Sequence, residues 1–263
     1  TGFIEPHFFA GFSGGPKLVL PGIAGIDSIM RNHRPVHIAH PHATWGITGG
    51  NPLWEEITEA ARLCPPQFSC HVSLNEEKRI TGVFAGELFA THAAGCTFVK
   101  EHAMAPVKAP FDIVITSNSG HPLDRNLYQT VKGLSAAARI AAPGGSIIMT
   151  SACQDGLPET GGFASILEGF GSPVEARNAL AERESALPDQ WQVQILAQVL
   201  SEHDVFMYAD GLSDDDLSRA WIKRSRSIEE TLAGLMARYG PQARIGVLPE
   251  GPQVIPYMAR GEK

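Results

Sequence analysis

Residues 111–152 read FDIVITSNSGHPLDRNLYQTVKGLSAAARIAAPGGSIIMTSA, and this stretch decides the fold class. FDIVIT is a short apolar run rich in β-branched residues, as expected of a buried strand. From Asp124 to about Ala141 the apolar residues Leu127, Val131, Leu134 and Ala138 recur at helical spacing. A Gly-Gly turn and a second apolar run, SIIMTSA, follow. Strand, helix and strand in succession predict a βαβ unit and a parallel sheet.

Outward from this unit, the pattern predicts helices around 161–169, 174–183, 190–202 and 225–239, with DVFMYA as a strand between the last two and one more strand in the tail RIGVLPEGPQVIPYM. Upstream, Pro106 to Pro110 reads as a linker. Asn51, Pro52, Glu55 and Glu56 predict a helix start, with Asn as N-cap, Pro at the first helical position and acids at the positive dipole end, running to about Leu63. The fold class expected is α/β: a cofactor-loop region over 1–106, onto which the tail 242–263 packs back, and a Rossmann-like domain over 109–241.

Composition narrows the function. At 263 residues and 43% hydrophobic the chain buries one sizeable core or two modest ones. A net charge of −7 lacks the basic stripe of a nucleic-acid surface, so a small-molecule partner is expected. No run has the apolar length of a membrane span and no signal peptide is visible, which gives a cytoplasmic reading without membrane partners. Cys64, Cys70, Cys96 and Cys153 form no C-x-x-C pair and read as inert core thiols. The chain opens at Thr1 without methionine, so an N-terminal portion is expected to precede it.

Eight of the ten histidines lie within the first 102 residues, and His33, His37, His40 and His42 fall within ten positions. In GFSGGPK, residues 11–17, Ser13, Gly14 and Gly15 allow backbone N–H groups to approach an anion, and Pro16 stiffens the turn that directs Lys17. The spacing is not that of a Walker loop, and a glycine-rich turn with a surface lysine is the competing reading. His7 lies among Phe3, Ile4, Phe8 and Phe9 and reads either as a satisfied core residue or as an acid–base group ahead of the lysine loop. Pro35 and Pro41 break the histidine cluster, so it offers one metal ligand rather than a complete zinc site. Tyr128, Gln129 and Lys132 sit beside the apolar stripe at the start of their helix, where an open α/β sheet binds ligands; solvated side chains are the alternative.

Three segments, EPHFFAGFSGGPKLVLPGIAG (5–25), NHRPVHIAHPHATWGITGGNPLWEEITEAA (32–61) and SNSGHPLDRNLYQTVKG (117–133), resemble in order and spacing the lactate racemase family, whose members carry a nickel-pincer nucleotide. The resemblance covers nearly the whole chain. It implies racemisation or epimerisation of a 2-hydroxy acid, with proton removal by histidine coupled to hydride passage to the cofactor, a pyridinium-3-thioamide-5-thiocarboxylate mononucleotide with Ni. Lys17 would be the covalent anchor, His33 the protein's nickel ligand and His7 one of two acid–base residues. Gln129 and Lys132 would border substrate and cofactor, Lys132 favouring the carboxylate. Ser13, Gly14, Gly15 and Tyr128 would line the cofactor, and Trp191, in DQWQVQ, would shield the metal. Cofactor-synthesis enzymes are implied as partners.

The chain departs from the family at Pro16, often arginine, and at His121, often tyrosine, which points to a different substrate. The family's N-terminal segment, with the second acid–base histidine and an arginine for the substrate carboxylate, has no counterpart in residues 1–263. A non-catalytic fragment or phosphate-ligand-binding protein and a zinc-dependent hydrolase remain the alternatives.

Overall fold

The computed structural model describes residues 1–75 and 77–259. It divides into two compact units, Thr1–Met104 with Arg183–Ala186, and Ala105–Glu182 with Leu187–Lys263. The tail is therefore counted with the second unit and not, as expected, with the cofactor-loop region; its last four residues lie outside the described ones.

The first unit begins with three two-residue strands, β1 (Gly2–Phe3), β2 (Pro6–His7) and β3 (Gly11–Phe12), then the short helices α1 (Ile26–Asn32) and α2 (Pro35–Ile38), and α3 (Pro52–Leu63). Strands β4 (Ser69–Leu74) and β5 (Ile80–Gly86) pair antiparallel, β1 joins β4 in parallel, and α4 (Leu88–Ala103) closes the unit. Asn51 caps α3 as predicted, accepting from Leu53 N at 3.1 Å and Trp54 N at 3.5 Å, with Pro52 beginning the helix. Helix α4 and the β4–β5 hairpin go unread in the sequence; α4 mixes small, apolar and polar residues around its circumference and is only weakly amphipathic. One apolar cluster here unites Ile4, Phe12 and Val99, with Phe84 and Phe98 against it.

Strand β6 (Met104–Val107) runs from the last residue of the first unit into the second, which contains β7 (Phe111–Ser117), α5 (Leu127–Ala138), β8 (Ala141–Thr150), α6 (Phe163–Glu168), α7 (Pro173–Ala181), α8 (Gln190–Glu202) and β9 (Asp204–Tyr208). It ends with α9 (Asp214–Arg219), β10 (Lys223–Arg224), α10 (Ile228–Tyr239), β11 (Ile245–Leu248) and β12 (Ile255–Met258). The predicted parallel sheet is present: five strands in the order β10-β9-β8-β7-β11, every pairing parallel. In its central strand β8 successive side chains, Ile147, Ile148 and Met149, are buried on both faces, whereas Ile245 and Val247 of the edge strand β11 are exposed. Ile113 and Ile148 pack with Leu235 and its neighbours on α10, while α5 lies against β7 and β8.

The decisive segment is corrected in detail. Helix α5 starts at Leu127, not Asp124, because Asn126 is its cap and accepts from Gln129 N at 3.0 Å, while Asp124 Oδ2 accepts from Ala152 N at 3.1 Å beyond the next strand. The helix ends at Ala138, and β8 already begins at Ala141, running through the expected Gly-Gly turn. Leu127, Val131 and Leu134 are fully buried, as the stripe predicts. The stretch taken as a linker contains β6, paired with β12. Of the four cysteines only Cys153 is buried; Cys64 is exposed, against the expectation of core thiols.

Candidate functional site

In the first unit the lysine loop is shaped by contacts with its own unit. The Ser13 N–H donates to Glu5 O at 2.8 Å, and its hydroxyl donates to Phe3 O at 3.0 Å and accepts from Glu5 N at 3.1 Å. Gly14 and Gly15 have φ of +72° and +53°. A Cβ on Gly14 would lie 2.5 Å from Phe3 O, and one on Gly15 2.3 Å from His92 Cδ2, so close packing alone demands glycine at both. Gly15–Leu18 is a 3-10 turn with Pro16 at its start, and it carries Lys17, which is half-buried.

His33 follows α1 as its C-cap residue and is buried. Its Nδ1 donates to Ile29 O at 3.0 Å, which places the ring's lone pair on Nε2. Burial is the main cause that holds its pKa down at about 4, and the charge of Lys17, then His37, adds to the effect. His33 is therefore a neutral imidazole at physiological pH, the form that ligates metals. The Phe9 ring stands edge-on to His33 with centroids 5.2 Å apart and to His7 at 4.6 Å, so one aromatic side chain separates the two histidines. His7 Nδ1 accepts from Ala10 N at 3.2 Å.

Within the rest of the histidine cluster His37 is buried and bonded to its own surroundings, while His40 and His42 are exposed. His37 Nδ1 donates to Asn32 O at 3.0 Å and its Nε2 accepts from Arg34 at 2.8 Å; Arg34 in turn pairs with Glu56 at 2.7 Å. His40 and His42 contact each other at 5.4 Å, centroid to centroid. Among the described residues no group of three or more His, Cys, Asp or Glu side chains is arranged to hold a metal ion. The hydrolase reading needs three such ligands and finds no support in this cluster.

Two side chains organise the loop, Asn51, read from the sequence only as a cap, and His92, not read at all. Asn51, besides capping α3, donates through Nδ2 to Phe9 O and Ile47 O, both at 2.9 Å. His92, on α4, donates from Nε2 to Ser13 O at 2.9 Å and stacks on Trp54 with centroids 4.9 Å apart. Asn51 is visible as a cap, but its second role connects residues 42 apart; His92 lies on a helix whose pattern carries no signal.

In the second unit the N-cap of α5 orients three of the expected residues. Lys132 Nζ donates to Gln129 Oε1 at 2.7 Å, one turn apart on the same face. Tyr128 points elsewhere: its hydroxyl accepts from Trp191 Nε1 at 2.9 Å, its ring meets Phe163 edge-on at 5.5 Å, and its carbonyl accepts from Gln192 Nε2. Burial pushes the phenol up to about 12, so Tyr128 is neutral. The structure thus joins Gln129 to Lys132 and Tyr128 to Trp191, and in the first unit places Lys17 near His33.

A two-unit α/β chain combining a lysine-bearing glycine loop, a buried neutral histidine and a parallel-sheet domain defines the class. Two family models match it: the lactate racemase C-terminal domain over residues 107–256 and the lactate racemase N-terminal domain over 1–46. The chain belongs to the lactate racemase family. It is 38% identical over 256 residues to a lactate racemase of Thermoanaerobacterium thermosaccharolyticum and 39% identical over 256 residues to one of Lactiplantibacillus plantarum. Each alignment covers 97% of this chain and 60% of the relative, so the chain spans about three fifths of the length of these curated relatives.

The structure of the lactate racemase apoprotein from T. thermosaccharolyticum superposes with a TM-score of 0.92 at 38% identity, covering 97% of this chain and 61% of that one. A Thermotoga maritima protein of known structure shares the fold, with a TM-score of 0.69 at 15% identity, over 98% of this chain and 65% of its own. No described helix is long and apolar enough to cross a membrane.

Proposed function

We propose that this chain carries the cofactor-holding part of an isomerase that racemises or epimerises a 2-hydroxy acid with a nickel-pincer nucleotide. The observation that carries the reading is His33: a buried imidazole kept neutral, its Nδ1–H fixed on Ile29 O and its deprotonated nitrogen therefore Nε2, with the Lys17 cation close enough to lower its pKa. The residues fit the group. One imidazole holds Ni²⁺ weakly by itself, so the other donors must come with the metal, as they do in a pincer ligand. Lys17, on a proline-stiffened turn, would provide the amine for covalent attachment. When bound, the group would supply a ring carbon able to take up and return the substrate's C2 hydride.

The chain's own residues would then handle protons and charge. His7 takes the hydroxyl proton as C2 becomes a carbonyl carbon, and returns it afterwards. Uptake at Nε2 requires the ring proton on Nδ1, and so requires release of the Ala10 N–H bond that Nδ1 now accepts. Lys132, steadied by Gln129, presents a cation suited to the substrate carboxylate. Tyr128 and Trp191, locked to each other, form an apolar wall rather than a proton relay, since the phenol stays neutral.

The test is intact-mass spectrometry of the protein co-expressed with cofactor-synthesis enzymes. A nucleotide-sized adduct that disappears in Lys17→Ala supports the reading. An adduct that persists in Lys17→Ala removes the anchor, and no adduct on the unaltered chain sinks the proposal.

A further inference from the structure

His92 is 75 positions from Lys17 in sequence, yet its ring forms the bed of the lysine loop. Four observations define its setting. Its Nε2 reaches Ser13 O at 2.9 Å, and because a carbonyl only accepts, the proton sits on Nε2. The backbone at Gly15 lies so close that an added Cβ would fall 2.3 Å from Cδ2 and 2.4 Å from Cγ. Trp54, from α3, stacks on the ring at 4.9 Å and 23°. His71, fully buried, stands perpendicular at 6.2 Å, and Cys96 Sγ lies 3.4 Å from Nε2.

The imidazole is thus held from α3, β4 and α4, and its one strong polar contact goes to the loop carbonyl four residues before Lys17. We propose that His92 is a positioning residue for Lys17, acting as a neutral hydrogen-bond donor to Ser13 O that fixes the turn from which the amine is presented. This rests on the reading of Lys17 as the reactive amine. Burial holds the His92 pKa down at about 4, which keeps the ring neutral, single-tautomer and in place through the physiological range. A protonated ring would add a second N–H and a buried charge, so neutrality is part of the device. Gly15 completes it, since any side chain there would displace the ring.

The experiment reads Lys17 directly, without the cofactor. The full chain is treated with a limiting succinimidyl ester of acetic acid, and acetylation at Lys17 is compared by peptide mass spectrometry with that at the exposed Lys108. His92→Leu strands a carbonyl and frees the turn that keeps Lys17 half-buried. Acetylation of Lys17 relative to Lys108 is expected to rise about five- to tenfold. His92→Gln, whose amide can again donate to Ser13 O, is expected to return the ratio to that of the unaltered protein.

An unchanged ratio in folded His92→Leu overturns the proposal, as does a His92→Gln ratio that stays raised, because either makes the ring mere filling. Should His92→Leu not fold, ¹⁵N NMR of the unaltered protein decides: a proton on Nε2 agrees, and one on Nδ1 overturns it. Absence of a nucleotide adduct on the co-expressed protein would sink the function and leave this result standing, so the two failures are distinguishable.

Discussion

In the first unit His7, Lys17 and His33 stand on two-residue strands, a 3-10 turn and a helix end, each held by bonds to backbone groups; in the second, Gln129 and Lys132 project from one regular twelve-residue helix over a parallel sheet. The helix needs only a cap and an apolar stripe to aim its side chains. The loops need glycines at positive φ, an asparagine amide and a buried imidazole, drawn from α3 and α4. The first arrangement is built from many single polar contacts, so it is sensitive to protonation; the second is built from apolar packing and is sensitive to volume.

The largest expected effect tests the first half of that contrast. His33 and His92 are each held at about 4 in the folded protein against 6.5 when unfolded, and burial lowers His71 as well. A base with a depressed folded pKa contributes fully above 6.5, and its contribution is lost as the pH falls toward about 4, where the unfolded chain takes up protons that the folded one refuses. His33 and His92 should each remove about 3 kcal/mol across that window. In the second unit His203 is the histidine among the described residues that burial lowers. Hydrogen exchange read by mass spectrometry near the acid end of the window should therefore show residues 1–104 opening while β7, β8 and β9 stay protected. Simultaneous opening of both units would break the comparison.

Next in size is a cavity in the second unit. Leu134 is fully buried on α5, and Leu134→Ala should cost about 3 kcal/mol. Chemical denaturation followed segment by segment should show that loss in the second unit, with the Lys17 loop unaffected. The smallest effect sharpens the boundary between the two modes. Trp191→Phe keeps an aromatic ring but removes the indole N–H from the buried Tyr128 hydroxyl, at about 1 kcal/mol, measurable as a lower denaturation midpoint. A cost well above that of Leu134→Ala would show that polar contacts dominate in the second unit too.

The same contrast explains what the sequence discloses. The parallel sheet, α3 with its Asn51 cap, α5 and the later helices follow from periodicity and local capping, signals confined to a dozen residues. Local pattern misplaces the start of α5, because Asn126 and Asp124 compete as caps and only the bond from Ala152 N shows which is diverted. Helix α4 and the short strands carry no clear period. The candidate residue types are legible in GFSGGPK, His33 and the Y-Q-x-x-K stretch, and the resemblance implies roles for them. Their environment is not legible: nothing near Ser13 announces that its hydroxyl turns inward to Phe3 O, nor that a histidine from α4 supports its carbonyl.

Asn51 caps α3 with one end of its amide and ties down Phe9 O with the other, across 42 residues. That dual use sets an order of assembly. The cap forms with its own helix, at local chain-closure cost, whereas the tie to Phe9 must also overcome the entropy of closing a long loop. Pulse-labelled hydrogen exchange during refolding is accordingly expected to protect α3 before the loop bearing His7 and Lys17; simultaneous protection would refute that order. In any refolding chain whose α3 forms before that tie, Lys17 would be an ordinary surface amine, open to electrophiles until Phe9 O is captured.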